Sequence, residues 1–292
     1  MSVDTLVQPS FAIEVESPWQ RFWNRGGWWK AVLAAAVYLG LYLGAGKVTD
    51  LLFGSYIDRS DPLSSAAGVF FGVAFPILIG SVLLLVFAAS LKWLPELFGR
   101  QPIKGRGWMW IAPVVVVTAA VMRFLGTDFD HFTLGTTLTV FATGLLIGFA
   151  EEVLTRGIAV DLLRRAGYGE RSVMVLSSLV FALLHTSNLL GGQAAATVLT
   201  TVGFTFFFGI AMYLVMRVTG SIVWAILLHA ITDPTTMLAT GGIDATTVQV
   251  SPLVHLAGTS IYVYAVLGLV AICAVGGRVG QSRGAARRSA VA

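Results

Sequence analysis

Charge is scarce in this chain. Asp, Glu, Lys and Arg together make up 12% of its 292 residues, against about 25% in a soluble globular domain, and that deficit excludes an ordinary water-soluble enzyme. Cysteine is nearly absent: Cys273 is the only one, so neither an intramolecular disulfide nor a cysteine-built metal centre is available. The chain has no HExxH and no GxSxG, the signatures of helix-borne zinc proteases and of the nucleophile elbow. Residues 1–30 lack the apolar core and small-residue cleavage site of a secretory signal, so the first spanning helix is expected to direct insertion. Lys and Arg are scattered over loops rather than gathered on one face, which argues against a nucleic acid partner.

What fills the chain instead is apolar: 56% of residues are hydrophobic and the mean hydropathy is +0.81. Runs long enough to cross a bilayer, about 20 residues each, fall at 29–46, 64–91, 107–125, 133–163, 172–190, 195–216, 219–233 and 253–276. The expected fold class is therefore all-α, a polytopic membrane bundle of about eight transmembrane helices. Its expected organisation is an N-terminal arm over 1–28, one transmembrane bundle over 29–276, and a disordered basic tail over 277–292. With eight spans both termini share a side, and fifteen Lys and Arg then lie on that side against Lys47, Arg59 and Arg123 on the other. Positive charge gathers in cytoplasmic loops, so both termini are expected in the cytoplasm, with a bacterial plasma membrane as the setting and lipid headgroups as partners.

Against this apolar background stand Glu151, Glu152, Arg156, His185, His229 and Asp233. An ionisable residue at bilayer depth costs roughly 2.5–3.5 kcal/mol on insertion scales, so several on separate spans point to one shared polar site. Counted from the nearest basic markers, Glu151, His185 and His229 lie at roughly 21, 21 and 18 Å along their helices. Spacing of four puts Glu152 with Arg156, Phe181 with His185, and His229 with Asp233 on common faces. Glu151 points about 100° away from Glu152, so the two carboxylates can take different tasks. Gly144 and Gly148 form a small-xxx-small pair that permits close helix approach, although Gly40 and Gly44 show the same spacing far from any charge.

Together these residues resemble the CPBP family of intramembrane proteases, which includes the CAAX prenyl endopeptidases and the bacteriocin-processing and immunity proteins. EExxxR is read at Glu151 to Arg156, FxxxH at Phe181 to His185, and HxxxN or HxxxD at His229 to Asp233, all within a core of about 133–234. The resemblance implies peptide-bond hydrolysis by a water held by Glu151 and His185, an oxyanion stabilised by His229 and Asp233, and a structural pair made of Glu152 and Arg156. The implied substrate is a peptide or protein, membrane-associated or lipidated at cysteine.

From the residues alone, Arg156 opposite Glu152 keeps that carboxylate ionised and leaves Glu151 as the general base. Asp233 fits an oxyanion donor poorly, because an ionised carboxylate only accepts; it must be protonated or else fix the tautomer of His229. Pro234 would push Asp233 out of helical geometry. Two further classes stay open: a zinc hydrolase using Glu151, His185 and His229 as ligands, and a non-catalytic immunity protein, scaffold or proton-coupled transporter built on the same groups.

Overall fold

The computed structural model describes residues 16–240 and 251–279. Among these residues there are helices and turns but no strand. Eight helices are long and apolar enough to cross a membrane: α1 (Trp28–Tyr56), α2 (Ala66–Ser90), α3 (Gly107–Gly126), α4 (Leu134–Arg165), α5 (Glu170–Gly191), α6 (Ala195–Thr219), α7 (Ile222–Thr240) and α8 (Pro252–Ala274). Their outward faces carry Leu51, Leu125, Leu134, Leu190 and Tyr262 in the open, as acyl chains rather than water would require. The expected tail lies largely outside the described residues. The expected arm does so over 1–15, but its helix Pro18–Asn24 inserts Trp23 into the core beside Phe87.

The most enclosed span is α6, whose Phe208 to Met216 stretch is surrounded by side chains of α3, α5 and α8. Gly220, at φ +76°, ends it by sending its N–H back to Met216 O at 3.0 Å, and α7 begins two residues later. A left-handed φ of this kind suits a residue without Cβ. It returns α7 into the bundle beside α6, where it also meets α4.

The seventh span was expected to stop at 233 and instead continues to Thr240, straight through Pro234. A proline removes one amide donor and crowds the carbonyl four residues earlier. Here both strained parts lie against Gly144 of α4: a Cβ there would stand 2.5 Å from Pro234 Cδ and 2.7 Å from Ala230 O. One turn on, a Cβ at Gly148 would stand 2.7 Å from Ile226 O and 2.8 Å from Ala230 N. The two glycines let α4 and α7 approach backbone to backbone, which holds Glu151 and Glu152 opposite His229.

Gly44, with nothing within 4 Å of its would-be Cβ, supplies the control. Gly148→Val is expected to lower stability by about 1–3 kcal/mol or more through overpacking, and Gly44→Val to lie within about 0.5 kcal/mol of wild type. Thermal unfolding of the two variants in one detergent checks this, and equal melting temperatures would refute the close approach.

Helix α4 changes pitch partway. It is α-helical over Leu134–Glu152, a π-helix over Val153–Ala159, and α-helical again over Val160–Arg165. Wide turns of this kind are rare and cluster at functional positions. This one begins directly after the Glu151-Glu152 pair.

At the other end of α4 a second buried ionic cluster ties four segments together. Arg164 grips Glu170 with two bonds of 2.8 Å, Arg217 Nη1 reaches the same carboxylate at 2.9 Å, and Tyr213 OH donates to it. Arg217 also donates to Lys104 O at 3.1 Å, and Arg164 to Gln101 Oε1 at 2.8 Å. Arg217 was read from the sequence as a loop marker but is buried.

Candidate active site

The polar residues of α4 and α7 meet at the ring of His229. On one side its Nδ1 lies 2.8 Å from Glu152 Oε1. On the other its Nε2 lies 3.5 Å from Glu151 Oε2 and 3.5 Å from Asp233 Oδ2. Glu152 Oε1 also receives Arg156 Nη1 at 3.2 Å, and both of those side chains are completely enclosed. Arg156, Glu152 and His229 thus form one connected chain, in which the Glu152 carboxylate, itself held by Arg156, orients the imidazole.

Sequence spacing pairs Glu152 with Arg156 and leaves Asp233 either protonated or fixing the tautomer of His229. The structure gives the Nδ1 contact to Glu152 and puts Asp233 beside Nε2, on the same nitrogen as Glu151.

Space for the Arg156 guanidinium comes from α6. A Cβ at Gly209 would stand 3.0 Å from Arg156 Nη2 and 3.1 Å from Phe181 Cδ1. The guanidinium carbon sits 4.5 Å from the centroid of the Phe181 ring, a cation–π arrangement. The same ring meets His185 edge-on at 5.1 Å and His229 at 5.8 Å, while Phe208 closes the third side of His229 at 5.0 Å. Phe181 is therefore the apolar wedge between the two histidines and the buried ion pair.

His185 stands where α5 tightens from an α-helix into the 3₁₀ turn His185–Gly191. Its Nδ1 is 3.1 Å from Phe181 O. A carbonyl only accepts, so Nδ1 carries the proton, and in the neutral ring Nε2 is left as an acceptor.

Two cavities flank these groups. The larger, about 880 Å³, reaches Glu151, His185, His229 and Asp233. The smaller, about 130 Å³, is bounded by Tyr38 and Tyr42 of α1 together with Glu151 and His185. Glu151, His185, Ile147 and Asn188 line both, so the carboxylate and the imidazole stand on the partition between them.

Sequence reasoning missed several of the lining residues. Tyr38, Tyr42 and Asn188 carry no charge to draw notice. Thr197, Thr201 and Thr205 on α6, and Thr232, Thr236 and Thr240 on α7, recur every four residues, a helical-face spacing that marks them as one lining. Arg123, which the charge count assigns to the outer side at the end of the third span, lines the large cavity and is nearly buried.

As to a metal, no group of three His, Cys, Asp or Glu side chains among the described residues is arranged to hold one. Glu151, His185 and His229 therefore do not form such a group as they stand.

Among the described residues, eight apolar helices of spanning length, with carboxylates and imidazoles converging on a shared cavity, define an integral membrane protein. Residues 133–235 match the family model described as type II CAAX prenyl endopeptidase Rce1-like. That stretch holds all three motifs, and the match supports the CPBP/CAAX protease family and, in general, an intramembrane CAAX-type protease. No curated protein and no solved structure matches the chain.

Proposed function

We propose that this protein is an intramembrane endopeptidase that hydrolyses a peptide bond with a water activated by Glu151 and His185. The observation that carries the reading is the placing of Glu151 at 3.5 Å from His229 on the partition between two cavities. Glu151 takes a proton from the water as the oxygen attacks the peptide carbonyl, with His185 Nε2 accepting a hydrogen bond from the same water. The new C–O bond puts negative charge on the carbonyl oxygen, and His229 Nε2–H stabilises it. Glu151 then gives its proton to the departing amine as the C–N bond breaks.

His229 can donate at Nε2 while also donating at Nδ1 to Glu152 only as an imidazolium. Asp233 suits that state: ionised, it holds the positive ring rather than binding the oxyanion itself. Arg156 and Glu152 are positioning residues, acting through His229.

By the family likeness the substrate is a membrane-associated or lipidated peptide, cleaved beside a lipid-bearing cysteine. Both termini then face the cytoplasm, on the side richest in Lys and Arg, and a bacterial plasma membrane is the proposed setting. The other partner is the bilayer itself; nucleic acid has no place in this reading.

The test is cleavage by protein reconstituted in lipid nanodiscs, with S-farnesyl and unmodified peptides of sequence Cys-Val-Leu-Ala, followed by mass spectrometry. Release of the Val-Leu-Ala tripeptide is expected, undiminished after treatment with 1,10-phenanthroline. Loss of cleavage with the chelator and recovery with added zinc would replace this mechanism with a metal-assisted one. Failure to cleave any peptide would favour a binding protein that keeps the same groups.

A further inference from the structure

Four arginines lie wholly or almost wholly inside the bundle, and three of them face a carboxylate. Arg156 meets Glu152, and Arg164 and Arg217 meet Glu170. Arg123, on α3, is the exception. Its exposure is 7%, yet among the described residues its side chain makes no ion pair or hydrogen bond, and Nη1 is buried with no partner.

A cation removed from water without a counter-ion is strongly unfavourable, and a protein retains one where it has something to bind. Arg123 also lines the large cavity, the same one that Glu151, His229 and Asp233 reach. Tyr264 and Asp233 are near enough to act on Arg123 electrostatically, but neither is within hydrogen-bond or ion-pair distance of it, and the close contact of Asp233 is with His229. The guanidinium therefore offers a planar fork of donors to whatever occupies the cavity.

We propose that Arg123 is a specificity residue that receives a carboxylate of the bound peptide. This deepens the reading of the cavity as a peptide-binding chamber and rests on it. A peptide whose scissile carbonyl sits at Glu151 then has its anionic end drawn toward α3. Threonines on the cavity wall add acceptors for a peptide, since a hydroxyl that donates to its own helix, as Thr232 does to Leu228 O and Thr236 to Thr232 O, still accepts from a peptide N–H. Two sources share this chemistry: the free C-terminal carboxylate, and an acidic side chain close to the end.

Binding is the deciding measurement, made in the Glu151→Gln background so that the outcome does not depend on hydrolysis. Three dansylated S-farnesyl peptides serve as probes: Cys-Val-Leu-Ala as the free acid, the same peptide as its C-terminal amide, and Cys-Val-Leu-Glu as the amide. The free acid is expected to bind about tenfold or more tightly than the amide, as a charge-assisted bond would give. Adding Arg123→Gln should weaken the acid to the level of the amide and leave the amide unchanged, while Arg123→Lys retains part of the preference.

Tight binding of the glutamate amide, lost in Arg123→Gln, would assign the site to acidic side chains rather than to the chain end. An acid-to-amide ratio unaltered by Arg123→Gln would overturn the proposal. So would equal weakening of all three peptides, which marks a purely structural arginine. Because no cleavage is read, failure of the hydrolase reading would appear separately, in the wild-type assay.

Discussion

Glu151→Gln is expected to lower peptide hydrolysis by about 10²- to 10⁴-fold, the usual worth of a positioned general base, while the protein still folds. Glutamine keeps the shape and the hydrogen-bonding reach of glutamate but cannot take up the proton of an attacking water. The Glu151 side chain is partly open, on the partition between the cavities, so the swap leaves no enclosed charge without its partner. Its near neighbour His229 stays anchored through Nδ1 to Glu152. The loss should therefore fall on kcat, with the melting temperature within a degree or two of wild type. A folded Glu151→Gln protein that cleaves at the wild-type rate would remove Glu151 from the chemistry and the proposed reaction with it.

The largest structural effect is expected from Glu170→Ala. Glu170 is fully enclosed and is the one carboxylate that both Arg164 and Arg217 grip; Tyr213 OH donates to it as well. Removing it leaves two guanidinium groups inside the protein facing each other without an anion, and breaking a buried pair in this way typically costs about 3–5 kcal/mol. Four segments lose their common tie at once: the end of α4, the start of α5, the end of α6 and the 101–104 loop. Thermal unfolding in detergent and limited proteolysis of that end should both register the change. Glu170→Gln, which keeps some of the hydrogen bonds, should fall between. A Glu170→Ala protein as stable as wild type would show that the cluster contributes nothing.

Some of this was legible in the chain before any coordinates. Apolar length fixes the number and order of the spans because a bilayer demands about 20 residues of hydrocarbon contact each, whereas Gly144 with Gly148 permits a close crossing without distinguishing itself from Gly40 with Gly44. That Glu151, His185 and His229 stand at a common level was legible too, since rise per residue is constant along a helix. Rotation about the helix axis was not. Sequence spacing puts His229 and Asp233 on one face but does not say which carboxylate of α4 meets which ring nitrogen, and so the Glu152 contact went unread.

Pro234 misled for a related reason. Local preference says that a helix ends there, whereas the glycine of another helix receives both the ring and the crowded carbonyl. Arg123 and Arg217 were illegible on different grounds: a cation near the end of a span reads the same whether it faces headgroups, a buried glutamate or a cavity.

The π-helical turn over Val153–Ala159 has a consequence for how this molecule tolerates change. A π turn takes in one residue more than the α turn it replaces, so it acts as a phase joint between the half of α4 that carries the carboxylates and the half that ends in Arg164. Deleting one residue within it, beyond Arg156, would restore ordinary pitch and leave the two halves close to their present phase. The same deletion in the α-helical segment on either side would swing the halves by about 100°, so that either Glu152 would leave His229 or Arg164 would leave Glu170. The π turn is thus the one place along α4 where a single residue can be lost without parting the two buried clusters.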